Sequence, residues 1–244
     1  MTATPGAFLA LWNGVADAAL VPEYEAWHAF EHVPERVGSP GFVAAHRHAA
    51  QPGQSCPAYF TLYELQSLGA LATPQYQQLL DQPTPWSARM RGVLTDFCRE
   101  PGVPLGAHGP SRGACLATLQ LDLPSPASVH ALDATLQRLV AQGYAVHAAL
   151  GRLDRRSSHP LDSAVPQAQG EPVLVLLEHL RDALLQDALA WLASQLPAAT
   201  VWRAPAARYR LQGSVRQQDL AHPLPARQAP RPDLRQRYSS GANA

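Results

Sequence analysis

Short apolar runs in the first hundred residues alternate with amphipathic stretches, a pattern that predicts the element order β-α-β-β-α-β. The first predicted helix begins at Pro22, because a proline in the first turn removes no helical hydrogen bond. Tyr24, Trp27 and Phe30 recur along one side of it, and Pro34 and Gly38 are expected to end it. The predicted strands are 8–15, 42–48, 58–65 and 93–99, and the later helical regions are 67–80 and 86–91.

The same order of elements recurs in the second half of the chain, without recurrence of residue identity. Ser125 can cap a helix whose first turn contains Pro126, and Gly143 is placed to end it. The C-terminal residues are rich in arginine, glutamine and proline, which predicts a basic arm that packs across an oligomer interface or is disordered. The predicted strands here are 115–123, 144–153, 172–180 and 200–211, with a second helix over 182–196 and a long polar loop over 154–170.

These patterns predict an α+β fold class, with two tandem ferredoxin-like β-α-β-β-α-β repeats forming an intrachain pseudo-dimeric α+β barrel. Each repeat would form a four-stranded sheet with helices on one face, and the bare face would be covered by the other repeat. Because the pairing is supplied within one chain, we expect a monomer or a loose homodimer. The predicted parts are a first repeat (1–100), a linker (101–113), a degenerate second repeat (114–212) and a Pro/Arg-rich C-terminal arm (213–244).

Composition narrows the range of functions. The chain has no lysine, which excludes Schiff-base enzymes and phosphate-binding loops that depend on a lysine. Its 19 basic and 19 acidic residues give a net charge of zero, so nucleic acid is not an expected partner. No apolar stretch is long enough to cross a membrane, so no membrane partner is expected. The scattered Cys56, Cys98 and Cys115 are typical of reduced thiols in a cytoplasmic protein.

His32 is the strongest candidate for chemistry, because an imidazole can move protons near neutral pH. It is predicted to lie at the C-terminal end of the first helix, where the helix dipole favours the charged imidazolium. The neighbouring Glu31 could orient the ring or strengthen that bias. We therefore take His32 and Glu31 as candidate catalytic residues. The alternative is that His32 only ties the end of the helix to a neighbouring strand.

Other histidines and aromatic residues could line a ligand site near His32. His28 lies four residues earlier on the same helix face, but no third ligand is evident, so no metal site is predicted. His46 and His48 share one face of a strand, with Arg47 on the other. One of these histidines could instead be the axial ligand of a haem. The candidate substrate-binding residues are Trp27, His28, His46, His48, Tyr63 and Trp86.

Several segments carry a resemblance to a known superfamily. They are 27–36 (Trp-His-Ala-Phe-Glu-His-Val-Pro-Glu-Arg), 38–42 (Gly-Ser-Pro-Gly-Phe), 46–48 (His-Arg-His), 63–65, 74–76, and 83–86 with Arg89. In these segments the chain resembles the dimeric α+β barrel superfamily, and within it EthD-like and related uncharacterised bacterial proteins. The likeness covers residues 5 to about 100, and over 113–212 it rests on element order alone.

The resemblance implies a small-molecule enzyme without an organic cofactor, performing proton-transfer chemistry as an isomerase, a lyase or a cofactor-free monooxygenase. Its ligand would be a small apolar or aromatic compound in the barrel-side cavity of the first repeat, with His32 as general acid or base and Glu31 assisting. Fold alone does not choose among these activities. Two alternatives stay open, namely a non-catalytic ligand-binding or interaction protein, and a haem-binding protein.

Overall fold

The computed structural model describes residues 5–154, 170–220 and 229–240. The strands are β1 (Ala7–Val15), β2 (Phe42–Ala50), β3 (Tyr59–Leu65), β4 (Leu94–His108), β5 (Cys115–Leu123), β6 (His147–Leu153), β7 (Glu171–His179), β8 (Val201–Trp202) and β9 (Ala207–Arg216). The helices are α1 (Val21–Trp27), α2 (Val33–Val37), α3 (Pro74–Asp81), α4 (Pro85–Arg91), α5 (Pro126–Ala141), α6 (Asp182–Gln195) and α7 (Pro232–Ser240). None of the helices in these ranges is long and apolar enough to cross a membrane.

Eight strands close into an antiparallel barrel in the order β7-β6-β4-β1-β3-β2-β9-β5, with β5 pairing back onto β7. The two-residue β8 adds to β5. Within the first half the order is β4-β1-β3-β2, and within the second half it is β9-β5-β7-β6. The first, second, third and fourth long strands of one half therefore occupy the same positions in the strand order as the corresponding strands of the other half. The halves meet at two seams, β2 with β9 and β4 with β6.

Alternating side chains divide each strand between the barrel interior and the helices outside it. Residues such as Trp12, Phe60 and Leu116 pack together inside the barrel. Outside the second half, α5 and α6 cover the sheet with leucine, valine and alanine. Outside the first half, aromatic rings such as Tyr24 and Trp27 dominate where the first helix meets the sheet.

The first helix runs continuously from α1 into α2 but contains one π-helical turn at His28–His32. The N–H of Val33 donates to the carbonyl of His28, five residues earlier. Pro34 has no N–H to continue the ordinary α-helical pattern, which favours this wider turn. The prediction that Pro34 helps to end the helix was therefore wrong, since it lies in the first turn of α2, where proline is tolerated, whereas Gly38 follows the last helical residue as predicted. Gly41, with a φ of 84°, makes the turn into β2.

Three segments differ from their predicted extents. β4 continues to His108 through most of the predicted linker, and its pairing with β6 is irregular between Pro104 and Gly106, which lets the strand hold a proline. β9 extends to Arg216 because it gains β2 as a pairing partner. In the predicted arm, α7 packs on α1 of the same chain. Residues 155–169 of the predicted loop, and 221–228 and 241–244 of the arm, lie outside the described residues.

Candidate functional site

A cavity of about 50 Å³ lies between the first helix and the sheet of the first half. Its walls come from β1, the first helix, α3, the end of α4, and β4. Two imidazoles, three guanidiniums and several aromatic rings face it, including His28, His32, Arg36, Arg91, Arg99 and Trp27. This is a strongly polar lining for a space enclosed between a helix and a sheet.

The two histidines form a stacked pair at the wall of this cavity. Their ring centroids are 5.2 Å apart and their planes differ by 27°. The ring of Trp27 lies 4.1 Å from that of His32 and packs against it. The Nδ1 atoms of His28 and His32 are buried and have no hydrogen-bond partner among the described residues. Because buried polar atoms left unpaired cost free energy, such a pair is typical of a site that a ligand or water completes.

Both imidazoles are held in the neutral form. Burial lowers the pKa of His32 well below its usual value, and the nearby charges of Arg36, His28 and Arg91 lower it further. Burial and then the charges of Arg47 and Arg36 lower the pKa of His28 in the same way. The expectation that a helix dipole favours the imidazolium of His32 was wrong, because the helix continues past this residue into α2. A neutral imidazole is a proton acceptor.

Glu31 has a structural role rather than a contact with His32. Its Oε1 accepts a hydrogen bond of 2.5 Å from the Thr84 hydroxyl, and its Oε2 accepts one of 2.8 Å from the Arg231 N–H. Adjacent residues of a helix point in different directions, and here the carboxylate faces α4 and α7. It therefore joins these two helices to the first helix, and the predicted assistance to His32 has no contact to support it.

Trp86 supports the site from behind rather than lining it. Its Nε1 donates a hydrogen bond of 3.2 Å to Glu23, which also accepts bonds from Arg89 (3.0 Å to Nε) and Ser239 (2.8 Å to Oγ). Burial opposes ionisation of Glu23, but the hydrogen bonds from Arg89 and Ser239 outweigh it and lower its pKa. Trp86 and Trp27 lie in one aromatic cluster, and of the two only Trp27 faces the cavity.

The predicted substrate-binding residues do not all meet at one place. His46 and His48 face the barrel interior, because they alternate with Arg47 along β2. Arg47 lies on the helix side, with its guanidinium 4.7 Å from the ring centroid of Tyr59. Tyr63 is also on the helix side, where it packs in the core outside the cavity lining. The structure thus separates His46 and His48 from Trp27, His28 and His32 by the thickness of the sheet.

Sequence analysis missed the guanidiniums Arg91 and Arg99. Arg91 ends α4 and donates hydrogen bonds of 2.8 and 2.7 Å to the carbonyls of Leu80 and Leu79. Arg99 and Phe97 alternate on β4 and so share the face that the first helix covers. An arginine on a strand face that is covered by a helix was a usable signal, because arginine is rarely buried.

The cavity beside His28 and His32 does not fit a haem, and the residues that the structure describes do not fit a metal ion. The described residues contain no cluster of three or more His, Cys, Asp or Glu side chains that could hold a metal. The cavity beside His28 and His32, at about 50 Å³, is far smaller than a porphyrin. In the second half the corresponding space is filled by packed side chains such as Leu119 and Leu136, both fully buried. The haem alternative therefore gains no support from the helix-covered face of either half, whereas His46 and His48, the histidines it named, line the barrel interior.

The fold of this chain is similar to the folds of several solved structures. No family model matches the chain, and no curated protein matches it. An anthrone oxidase-like protein superposes with a TM-score of 0.58 at 8% identity, covering 92% of this chain and 98% of that chain. A proposed monooxygenase from Fusobacterium nucleatum subsp. nucleatum gives a TM-score of 0.52 at 8% identity, covering 91% and 99%. A variant of chlorite dismutase from Candidatus Nitrospira defluvii gives 0.50 at 11% identity, covering 97% of each chain. These structures belong to the dimeric α+β barrel superfamily. At such low sequence identities, the similarity establishes only that this chain has the same fold.

Proposed function

We propose that the protein is a small-molecule enzyme without an organic cofactor, and that it removes a proton from a small apolar or aromatic compound bound beside His32. One observation carries the proposal. Two neutral, stacked imidazoles with unpaired Nδ1 atoms share one enclosed cavity with the guanidiniums of Arg36, Arg91 and Arg99. A proton acceptor next to fixed positive charge is the arrangement that favours formation of an anion.

In the proposed step, the substrate loses a proton from an acidic C–H or O–H group to His32. The bond to hydrogen breaks, its electron pair stays on the substrate, and the imidazole becomes an imidazolium. The new negative charge lies beside Arg36 and Arg91, which stabilise it in the cavity between the first helix and the sheet. Trp27 packs on the His32 ring and holds its orientation.

The resulting anion has three possible fates, which correspond to the predicted reaction classes. It takes a proton at another carbon in an isomerase, expels a leaving group in a lyase, or reacts with dioxygen in a cofactor-free monooxygenase. Two similar structures are named as an anthrone oxidase-like protein and a proposed monooxygenase, which favours testing oxygenation first. An EthD-like relationship remains a prediction from residues 27–36.

Deuterium exchange tests the proton transfer directly. Acetylacetone is a small molecule with an acidic methylene group, and the protein in D₂O should accelerate exchange of these protons, measured by NMR. His32→Gln should reduce the acceleration by about 10²-fold or more. The matched control is His130→Gln, because His130 is exposed on α5 in the second half. Exchange that proceeds at the solvent rate, or that His32→Gln leaves unchanged, rules out this base.

Binding without exchange would favour the non-catalytic alternative. Ligand-induced shifts in the indole signal of Trp27, with no acceleration of exchange, would indicate a ligand-binding protein that uses the same cavity. The protein would then need the guanidiniums but not the base, so Arg36→Gln would weaken binding while His32→Gln would not. The two functions are separable by this pair of variants.

We also propose that the two halves are tandem ferredoxin-like repeats, with the first extended to His108 by β4 and the second extended to Arg216 by β9. The equivalent strand orders β4-β1-β3-β2 and β9-β5-β7-β6 support this interpretation. Because each sheet already has its partner at the two seams, we expect a monomer or a loose homodimer. Cys56, Cys98 and Cys115 form no disulfide, which supports a cytoplasmic location.

A further inference from the structure

A second, larger cavity of about 720 Å³ lies inside the barrel, on the opposite face of the sheet from His32. It shares no lining residue with the helix-side cavity. Leu62, Leu116 and Leu176 form apolar wall, and polar side chains of β2, β3, β7 and β9 form the rest. The proposed proton-transfer chemistry makes no use of this space.

Most charges around this cavity are already paired. Glu64 lies 3.3 Å from the Nε2 of His46. Glu178 accepts hydrogen bonds of 2.9 Å from the Arg112 guanidinium and from the Gly113 N–H. These carboxylates are therefore poor sites for a cationic ligand, because each already has a donor.

Two polar groups at this cavity remain without a partner. The side chain of Arg216, at the exposed end of β9, forms no hydrogen bond or close ion pair among the described residues, although its charge helps to lower the pKa of Glu64. His48 is 7% exposed, and its Nδ1 is buried without a hydrogen-bond partner among the described residues. Burial, followed by the charge of His46, lowers the pKa of His48 to about 4, so this imidazole is neutral.

The positions of Arg216 and His48 indicate the length and polarity of a ligand that could contact both. Arg216 pairs with Ala44 across the β2–β9 seam, and His48 lies four residues further along β2. At about 3.3 Å per residue, the two backbone positions are roughly 13 Å apart. One end of the cavity thus offers a guanidinium, the other a hydrogen bond from a neutral imidazole, and leucine side chains line the space.

We propose that the barrel interior binds an amphiphilic monocarboxylate, with its carboxylate at Arg216, its apolar body against Leu62, Leu116 and Leu176, and a hydroxyl or carbonyl oxygen at His48. This site is independent of the proposed function, since it lies on the other face of the sheet. The partnered state of Glu64 and Glu178 selects an anionic head over a cationic one.

Calorimetric titration of the full chain with octanoate, 8-hydroxyoctanoate and 1-octanol tests the proposal. Both acids should bind, and 8-hydroxyoctanoate should bind more tightly because its hydroxyl lies near the distance expected for His48. Arg216→Gln should weaken both acids by about fivefold, which is the scale of an exposed ion pair. It should leave 1-octanol unchanged. Added salt should weaken the acids in the wild type more than in this variant.

The controls separate a specific site from general surface attraction. Arg210→Gln removes an exposed arginine of the same strand that is not part of the cavity lining, and it should not change the affinity for either acid. His48→Leu should abolish the preference for 8-hydroxyoctanoate and retain octanoate binding. No binding of either acid at millimolar concentration, or equal weakening by Arg216→Gln and Arg210→Gln, would overturn the proposed site. Equal affinity of the two acids in the wild type would overturn the contact with His48.

Discussion

The helix layers of the two halves use the same topology for different purposes. In the second half, the space between the sheet and α5 and α6 is filled by aliphatic side chains, and Leu119, Leu136 and Leu192 are fully buried. In the first half, the equivalent space contains the stacked pair His28 and His32, and a cavity lined by arginine. The strand order is equivalent in the two halves, so the difference lies in the helix layers and their side chains.

This contrast indicates a division between stability and chemistry. Close-packed aliphatic side chains stabilise a fold, whereas buried polar atoms without partners destabilise it. The second half has one continuous aliphatic core, and it holds β4 and β2 in place through the two seams. The first half can then retain an enclosed polar cavity. The predictions below test this division, beginning with the largest expected effect.

Removing aliphatic packing from the second half should cost the most. Leu136→Ala should lower the free energy of unfolding by about 2–5 kcal/mol, because it leaves a cavity in a close-packed core. The matched change in the first half is Leu80→Ala, at the wall of the existing cavity, where we expect a loss of about 1 kcal/mol. Urea unfolding measures both values. Equal losses would contradict the proposed division.

Acid should destabilise the protein through its neutral histidines. The pKa values of His28, His32 and His48 are lowered in the folded state, so the unfolded chain takes up protons first as the pH falls. Stability should therefore be constant just above pH 6.5 and should fall below it, by up to about 1.4 kcal/mol per pH unit for each histidine. Urea unfolding at several values between pH 7 and pH 5 gives this slope.

The control for this slope is a histidine outside the two cavities. His130→Gln should leave the slope unchanged, because His130 is exposed on α5. His28→Leu should reduce it by the contribution of one group. The interval above pH 5 is informative because the lowered pKa of Glu23 adds its own loss of stability only at lower pH. A flat profile between pH 7 and pH 5 would show that the histidines are not held neutral by the fold.

An unpaired and a paired histidine should respond oppositely to removal. His28→Leu replaces an unpaired buried nitrogen by an apolar group, and should raise the free energy of unfolding by about 1–2 kcal/mol. His147→Leu, in the second half, removes a hydrogen bond of 2.9 Å between its Nδ1 and the carbonyl of Gly109, and should lower it by about 1 kcal/mol. Thermal unfolding of both variants measures these changes. A loss of stability in His28→Leu would show that the stacked pair of His28 and His32 stabilises the fold.

Prediction from the sequence was most accurate for features that depend on a single local interaction, such as a helix cap. Ser125 caps α5 as predicted, and its hydroxyl accepts a hydrogen bond of 3.2 Å from the Ser128 N–H. The alternation of His46 and His48 with Arg47 is confirmed, but it could not show which face is the barrel interior. That choice depends on the packing of helices onto the whole sheet. The guanidinium cluster was missed for the same reason, since Arg36, Arg91 and Arg99 are brought together by tertiary structure.

Pro34→Ala should have the smallest effect on stability and a clear effect on the site. The restored N–H can donate to the carbonyl of Phe30, and removal of the π-helical turn would rotate one side of the helix by about 100°. His32 would then leave the cavity, so its pKa, measured by NMR, should rise towards 6.5 and proton exchange of the probe should fall. The gained hydrogen bond and the lost packing oppose each other, so the free energy of unfolding should change by less than about 1 kcal/mol.

Pro74→Ala, in the first turn of α3, is the matched control and should change neither the pKa of His32 nor the proton exchange of the probe. If the pKa of His32 stays low in Pro34→Ala, the π-helical turn is stabilised by the packing of His32 against Trp27 and the sheet. Pro34 is then compatible with this turn but does not cause it.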